Sequence, residues 1–278
     1  MTWHRQKGRL SCHYCDAARA LPSHCPACNE KTLTTLGAGT EKIESTLQSL
    51  FPNASIDRLD RDTASGNGLS TILEGMQSRK TDILVGTQMV TKGHDFPFVT
   101  LVCVLDADAG LKLPDFRAAE RTVQLLTQVA GRAGRADLPG KVLIQTYDPS
   151  HHALRSLCKH DHEGFMKRES ENRALFGYPP YAYSVAIRAQ GVHGKLVEQT
   201  LRECAKVLSN FRAPSRPIRV RGPAPAIIER VRGNTRWALL ATHSDRRALH
   251  QAVQNIRSQV ETPNGVRLIV DVDPIDLM

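Results

Sequence analysis

The stretch Gln128-Val129-Ala130-Gly131-Arg132-Ala133-Gly134-Arg135 carries two guanidinium groups three residues apart, a spacing that shares one face of a helix. Guanidinium forks match phosphate oxygens, and an arginine inserted from a neighbouring lobe can stabilise charge on a transferring phosphoryl group. Gly131 and Gly134 leave room for close approach of backbone or ligand. The plainer reading is a basic helix end with solvated arginines. A second stretch, Val85 to Pro97, follows an apolar run, the place where α/β proteins carry ligand loops. Its Thr87 and Gln88 can hydrogen-bond a phosphate backbone and Lys92 can neutralise one. Gly93 permits an unusual φ, and Asp95 can accept a hydrogen bond from a sugar hydroxyl. An ordinary connection between strands is the plainer alternative.

Four of the seven cysteines form two CxxC pairs, Cys12/Cys15 and Cys25/Cys28, with nine residues between the pairs. Four thiolates so spaced can close on one tetrahedral zinc, which would fold a segment that has almost no core of its own. A redox dithiol fits less well, because two CxxC pairs match a structural metal site better. Cys103, Cys158 and Cys204 stand alone and read as buried small apolar groups. His151-His152 and His160-Asp161-His162 read as polar loop and helix-surface residues, since no third cluster of ligands accompanies them.

Towards the C-terminus Arg212, Arg216, Arg219, Arg221, Arg230, Arg232 and Arg236 gather near Trp237, with Glu229 as the local acid. Arginines beside an aromatic suit phosphate contact and base stacking; a solvated surface is the alternative for any single one. The net charge of +9 is uneven in the same sense. Residues 1–36 sum to +3, residues 37–150 to −2 and residues 151–278 to +8. The two ends therefore attract a polyanion while the middle does not, and nucleic acid is the expected polyanion. No stretch reads as a secretory signal, and none approaches the ~18 apolar residues of a membrane span. A cytoplasmic location is the expectation. Aromatics make up only 5% of the chain, so the core should be aliphatic.

The elements that would position these residues fall into three pieces. Residues 1–36 are a partial zinc-binding segment. Residues 37–175 alternate helix and strand. Periodicity predicts a helix over Thr40–Leu50, capped by Thr40 and with Ile43, Thr46, Leu47 and Leu50 on one face. It predicts strands over Ser55–Leu59, Asp82–Gly86, Val99–Leu105 and Lys141–Thr146, and helices over Leu69–Met76 and Ala118–Ala133. Such alternation argues a parallel α/β sheet covered on both faces. Beyond Pro179-Pro180 the pattern changes, and residues 176–278 form a second, small α/β domain. Strands over Ser184–Ala189, Ile218–Gly222, Thr235–Thr242 and Val266–Asp271, with helices over Lys195–Phe211 and Asp245–Val260, give the split βαβ order.

Taken together, these words resemble a known family. Gly86–Pro97 looks like motif V and Gln128–Arg135 like motif VI of superfamily 2 helicases. Gly39-Thr40-Glu41, Asp60-Arg61-Asp62, the run from Gly86 to Leu101, Phe116–Arg121 and Asp271–Pro274 resemble the PriA family of replication-restart helicases. The resemblance implies that residues 37–175 are the second of two RecA-like lobes. Arg132 and Arg135 would face nucleotide phosphates across the cleft, Arg135 as the arginine finger, and Gln128 would orient that contact or the attacking water. Gly93 and Asp95 would couple nucleotide to DNA, with Thr87, Gln88 and Lys92 nearer the DNA track. The C-terminal domain, through Arg221, Arg230, Arg232, Arg236 and Trp237, would help bind forked DNA in the bacterial nucleoid. The resemblance implies zinc, ATP and Mg²⁺ as cofactors. It implies single-strand-binding protein, other primosome proteins and the replicative helicase loader as partners. Family members carry four CxxC pairs on two interleaved zincs, so Cys12/Cys15 and Cys25/Cys28 are either halves of two sites or a single re-paired one.

No G-x-x-x-x-G-K-[ST] phosphate loop and no acidic DExH-like word occur in the chain; in the family both belong to the first lobe. An ATPase needs a phosphate cradle and a metal as well as an arginine finger. The expectation is that this polypeptide alone neither hydrolyses ATP nor unwinds DNA, and acts with a motor half as an ATP-dependent 3′–5′ helicase. The alternative is a non-enzymatic, zinc-containing DNA-binding protein derived from such an enzyme.

Overall fold

The structure, a computed structural model, describes residues 2–4, 9–11, 18–20, 22–25, 28–31, 39–60, 63–64, 68–87, 96–134, 139–213 and 215–277. They form two compact units. Residues 113–118 and 161 onward make the second; the first holds the described residues before 113 and those of 119–160. The second unit thus takes in a helix that precedes Pro179-Pro180, as well as a short stretch from the middle of the chain.

The first unit opens on a three-stranded antiparallel sheet, β1 (Thr2–His4), β2 (Arg9–Ser11) and β3 (Ala18–Arg19), in that order. Next come α1 (Thr40–Leu50), β4 (Ile56–Leu59), α2 (Gly68–Gln77) and β5 (Ile83–Gly86). β4 and β5 pair in parallel, Ile56 opposite Ile83, with Leu59 and Val85 buried. The hydroxyl of Thr40 does not cap α1. The N-cap is Gly39, and the Thr40 hydroxyl instead donates to Asp60 Oδ2 at 2.8 Å. The buried carboxylate at the end of β4 is the stronger acceptor. Arg58 lies within 3.4 Å of Glu41, Glu44 and Asp60, so α1 is pinned to β4 by charge. Ile43 and Leu47 are half-buried, whereas Leu50 is exposed.

β6 (Leu101–Val104) and β7 (Lys141–Ile144) form a second parallel pair. Between them lie α3 (Asp108–Leu111) and α4 (Ala118–Ala130), and α5 (His152–Cys158) follows β7. Parallel strands alternate with helices as expected, but among the described residues they form two two-stranded sheets rather than one. The outward positions Leu101, Cys103 and Leu143 are exposed, so the β6–β7 pair is covered on one face. Cys103 and Cys158 are exposed, contrary to the reading that they are buried; Cys204 is fully buried, and burial pushes its thiol up to about 11. His151 is a helix cap, its Nδ1 accepting from Ala153 N–H at 3.2 Å.

The exits of β6 and β7 are tied together by Asp108. Its carboxylate accepts the Tyr147 N–H at 2.9 Å and the Thr146 hydroxyl at 3.1 Å. The Tyr147 N–H is the main cause holding this carboxyl below the usual range; burial opposes it, and Thr146 and the Lys112 charge reinforce it.

The second unit contains α6 (His162–Phe176), β8 (Tyr183–Gly191), α7 (Gly194–Asn210), β9 (Arg219–Val231), β10 (Asn234–His243), α8 (Arg246–Gln259) and β11 (Val266–Val272). From β8 on, the order is the split βαβ, and the sheet runs β11-β8-β10-β9, antiparallel throughout. Alternate residues of the strands, among them Val185, Ile187, Leu239 and Ala241, meet Val197, Leu201, Leu249 and Ile256 of α7 and α8 in one aliphatic core. Each such side chain contributes about 1.5–3 kcal/mol on burial. β9 is irregular. It slips register against β10 between Thr235 and Trp237 and between Ala238 and Leu240, and Gly222 in the second slip has a φ of +90°.

A carboxylate held below its ordinary value stabilises the fold above that value and stops doing so as pH falls through the folded one. Asp108→Asn should therefore be less stable than the parent chain at neutral pH, and the gap should close below about pH 4. Urea titrations from pH 7 to pH 3 check this; a gap constant across that range would sink the assignment.

Candidate functional site

Thr87 sits at the C-terminal end of β5, exposed, its N–H donating to Leu59 O at 3.3 Å to continue the parallel pair. This is the edge where a parallel sheet presents ligand loops. Gln88, Lys92, Gly93 and Asp95 lie outside the described residues, which resume at the buried Phe96.

The arginine word is placed differently from its expected helix. α4 stops at Ala130, and Gln128 is exposed on its last turn. The next N–H groups, Arg132 to Val129 O at 3.0 Å and Ala133 to Ala130 O at 3.2 Å, close i→i−3 turns. Arg132 is thus a half-buried residue of the turn beyond the helix rather than a member of a helical face. Gly134, with φ +76°, then donates to Val99 O at 3.1 Å and returns the chain to the start of β6. A cation here faces the carbonyl end of the helix, which favours it. The two glycines differ in purpose. A Cβ on Gly140 would lie 2.2 Å from Gly134 N, so these two backbones touch, whereas a Cβ on Gly131 would meet only carbonyl oxygens at 3.5 and 3.7 Å. Arg135 lies outside the described residues.

Of the four thiols, Cys12 and Cys15 lie outside the described residues. Cys25 and Cys28 flank a turn in which Asn29, at φ +59°, donates to Cys25 O at 2.8 Å, and Cys25 N–H donates to Glu30 O at 2.9 Å. Soft thiolates three residues apart on such a turn fit half of a tetrahedral zinc site. No group of three or more metal-ligating side chains occurs among the described residues.

The C-terminal arginines divide into two sets. Arg219 and Arg221 both donate to the Phe176 carbonyl, the one left open where α6 ends at Gly177. Gly177 takes φ +64° and Tyr178 N–H bonds back to Arg173 O at 2.9 Å. Arg221 also reaches Thr242 Oγ1 at 3.2 Å and lies 4.3 Å from the Tyr178 ring. Read from sequence as a DNA contact, Arg221 is engaged inside the fold. Trp237 packs half-buried against the core on the helix side, so it offers no free ring beside Arg236. Neighbours on a strand point to opposite faces.

Arg230, Arg232 and Arg236 remain. Arg232 (φ +49°) and Gly233 (φ +80°) form the two-residue turn of the β9–β10 hairpin, the primed geometry that suits hairpin twist. Arg230 pairs with Thr235 next to that turn. Arg236 stands opposite Gln190, which stands opposite Arg267 on β11. Arg267 was not singled out from sequence; its signal was its alternate position in the last strand, usable only once β11 is known to lie beside β8. No side chain of the four makes a hydrogen bond or ion pair with a described residue.

Three family models match the chain in order. They are the PriA DNA helicase Cys-rich region domain at residues 1–19, the helicase conserved C-terminal domain at 28–137 and the primosomal protein N C-terminal domain at 174–275. The replication restart protein PriA of Haemophilus influenzae is 41% identical over 278 residues, 99% of this chain and 38% of that protein. That of Bacillus subtilis is 37% identical, covering 100% of this chain and 35% of that protein. That of Synechocystis is 39% identical, covering 96% and 32%. The chain belongs to the PriA family. It matches the C-terminal part of these proteins and spans about a third of their length.

Against the PriA models, the helicase match takes in both the Thr87 loop and the arginine turn, and the last match takes in all four strands of the second unit's sheet. The Cys-rich match contains Cys12 and Cys15 and ends before Cys25. No helix among the described residues is long and apolar enough to cross a membrane.

Two contrasts test these placements by chemical denaturation. Arg221→Ala should cost the second unit about 1–2 kcal/mol, by stripping donors from the Phe176 carbonyl, while Arg232→Ala stays within about 0.5 kcal/mol. Gly140→Ala should cost about 1–3 kcal/mol through overpacking. Gly131→Ala, with ordinary contacts, should be neutral or slightly stabilising. Equal costs within either pair would contradict the corresponding placement.

Proposed function

We propose that this chain supplies the second RecA-like lobe and the DNA-binding C-terminal domain of an ATP-dependent replication-restart helicase. The observation that carries the reading is the set of four arginines without partners, Arg230, Arg232, Arg236 and Arg267, at one end of the second unit's sheet. Buried or paired arginines serve a fold; a group left unpaired at a hairpin end suits a line of phosphates. Forked DNA, with duplex and single strands meeting, is the proposed substrate. The partners are single-strand-binding protein, other primosome proteins and the replicative helicase loader.

In the first unit Arg132 and Arg135 would contact the phosphates of ATP held by a first lobe, with Gln128 on the last turn of α4 orienting that contact. Gly93 and Asp95 would link it to the DNA track, which Thr87, Gln88 and Lys92 would line. Guanidinium groups fit phosphate. The chain holds no phosphate loop and no metal-binding carboxylate word of that type, so no hydrolytic step is assigned to its own residues. Zinc bound by Cys12, Cys15, Cys25 and Cys28 would have a structural part, closing a segment poor in apolar residues.

The direct test is fluorescence anisotropy with a labelled forked oligonucleotide, comparing the chain with a variant carrying Arg230→Ala, Arg232→Ala and Arg236→Ala. The expected outcome is binding weakened about tenfold or more, with a slope of log affinity on log salt flatter by about 2–3, near 0.9 per lost phosphate contact. An unchanged slope and affinity in a variant that keeps its denaturation midpoint would place DNA elsewhere.

A further inference from the structure

β11 is an outer strand of the second unit's sheet, bonded to β8 alone. Its residues Val266–Val272 pair with β8 without a register slip, and they include no proline and no lysine. An outer strand this regular is a template for a further strand unless something blunts it. The residues that follow do not blunt it. The backbone turns at Asp273, whose φ is +50° and whose N–H donates to Ser184 O at 2.9 Å, and Arg188 of β8 then donates to the Asp276 carbonyl. The tail thus passes back towards β8, away from the open edge.

The Asp273–Ser184 bond fixes which backbone groups face outward. Bonded pairs alternate along an antiparallel ladder. Arg267, Ile269 and Asp271 therefore turn their N–H and C=O groups to β8, and Leu268, Val270 and Val272 turn theirs away. No described residue bonds those outward groups. Val266 N–H is already given to Pro263 O at 3.0 Å. Side chains alternate as well. Val266, Leu268 and Val270 pack against the aliphatic core. Arg267, Ile269 and Asp271 lie on the opposite face, where Asp271 Oδ2 meets Arg188 at 3.3 Å.

The run Val266-Arg267-Leu268-Ile269-Val270-Asp271-Val272 is symmetric about Ile269 in its apolar positions, and a cation on one side answers an anion on the other. We infer that the open edge of β11 pairs antiparallel with β11 of a second copy of this chain, about a two-fold axis through Ile269. In that register Leu268 stands opposite Val270 of the second copy, and Val266 opposite its Val272. These are the positions whose backbone groups face outward, so about six hydrogen bonds form, Val266 N–H being occupied. Arg267 stands opposite Asp271 of the second copy, once on each side of the axis, and Asp271 has Oδ1 for it while Oδ2 holds Arg188. A slip by one pair in either direction would set Asp271 opposite Ile269 or Gly265 instead, so the charges select the register. This pairing goes beyond the proposed function. It engages Arg267, which the variant for the DNA test leaves in place, so the two readings fail separately.

Sedimentation velocity on the whole chain without DNA tests this, over about 1–300 µM. One strand edge buries less than a standard interface, so the dissociation constant should be on the order of tens of micromolar. Arg267→Glu sets like charges opposite each other on both sides of the axis, and it should weaken association about tenfold or more at an unchanged denaturation midpoint. A second pair of variants reads the register directly by peptide mapping after mild oxidation. Ile269→Cys should join to itself across the axis, since facing residues of a non-bonded pair lie about 4.5 Å apart, within disulfide reach. Arg267→Cys should not, because those two positions lie about 14 Å apart. Should Arg267→Glu lower the midpoint, the cysteine pair decides alone. A chain that stays single up to about 300 µM would overturn the inference. So would association indifferent to Arg267→Glu, or position 267 joining to itself as readily as position 269, since either puts the contact elsewhere.

Discussion

A helix ends with carbonyls that its own backbone cannot satisfy, and in the second unit the end of α6 is met by the sheet. Arg219 and Arg221 project from β9 to the Phe176 carbonyl, on the side of the sheet away from α7 and α8. Gly177 permits the left-handed residue that aims this carbonyl, and a Cβ there would come within 3.0 Å of Arg219 Nη1. Around the clasp gather Tyr178, Phe116 and the chain's last residues. One face of the sheet is thus closed by ordinary aliphatic packing, and part of the other by guanidinium groups tied to backbone oxygens.

The same geometry explains why a single arginine cluster in the sequence has two uses in space. Arg221 faces Leu240, and Arg236 lies four residues earlier on the same strand and the same face, about 13 Å away at the usual rise. Near Arg221 the face is occupied by α6 and its following turn. Near Arg236 and Arg267 the arginine side chains meet no partner among the described residues. Position along the strand, more than residue type, separates the structural arginines from those available to a polyanion.

Much of this was legible in the chain. The six elements from β8 to β11 follow from the change of pattern after Pro179-Pro180 and the apolar stripes on α7 and α8, and most of the parallel strands of the first unit follow from short apolar runs. What escaped has identifiable causes. α6 carries no apolar stripe, because only Phe165 and Glu169 are buried along it, so periodicity cannot find it. Thr40 satisfies the rule for a cap, yet a buried carboxylate twenty residues on takes its hydroxyl. Arg132 looks helical by spacing, but the glycine before it and the Gly134–Gly140 contact end the helix early. The Phe176 carbonyl that Arg219 and Arg221 share lies more than forty residues away, and no local pattern announces it.

The irregularity of β9 has a consequence for how this domain keeps company. β9 is an outer strand of its sheet, and a long flat outer strand is a template onto which another chain can zip. This one contains Pro223 and Pro225, which have no N–H to offer, and it breaks register twice against β10. A stranger's backbone would find gaps where a ladder needs donors. Crowded beside other copies, such a domain resists fusing edge to edge along β9, and what that strand presents to the outside is the hairpin tip instead.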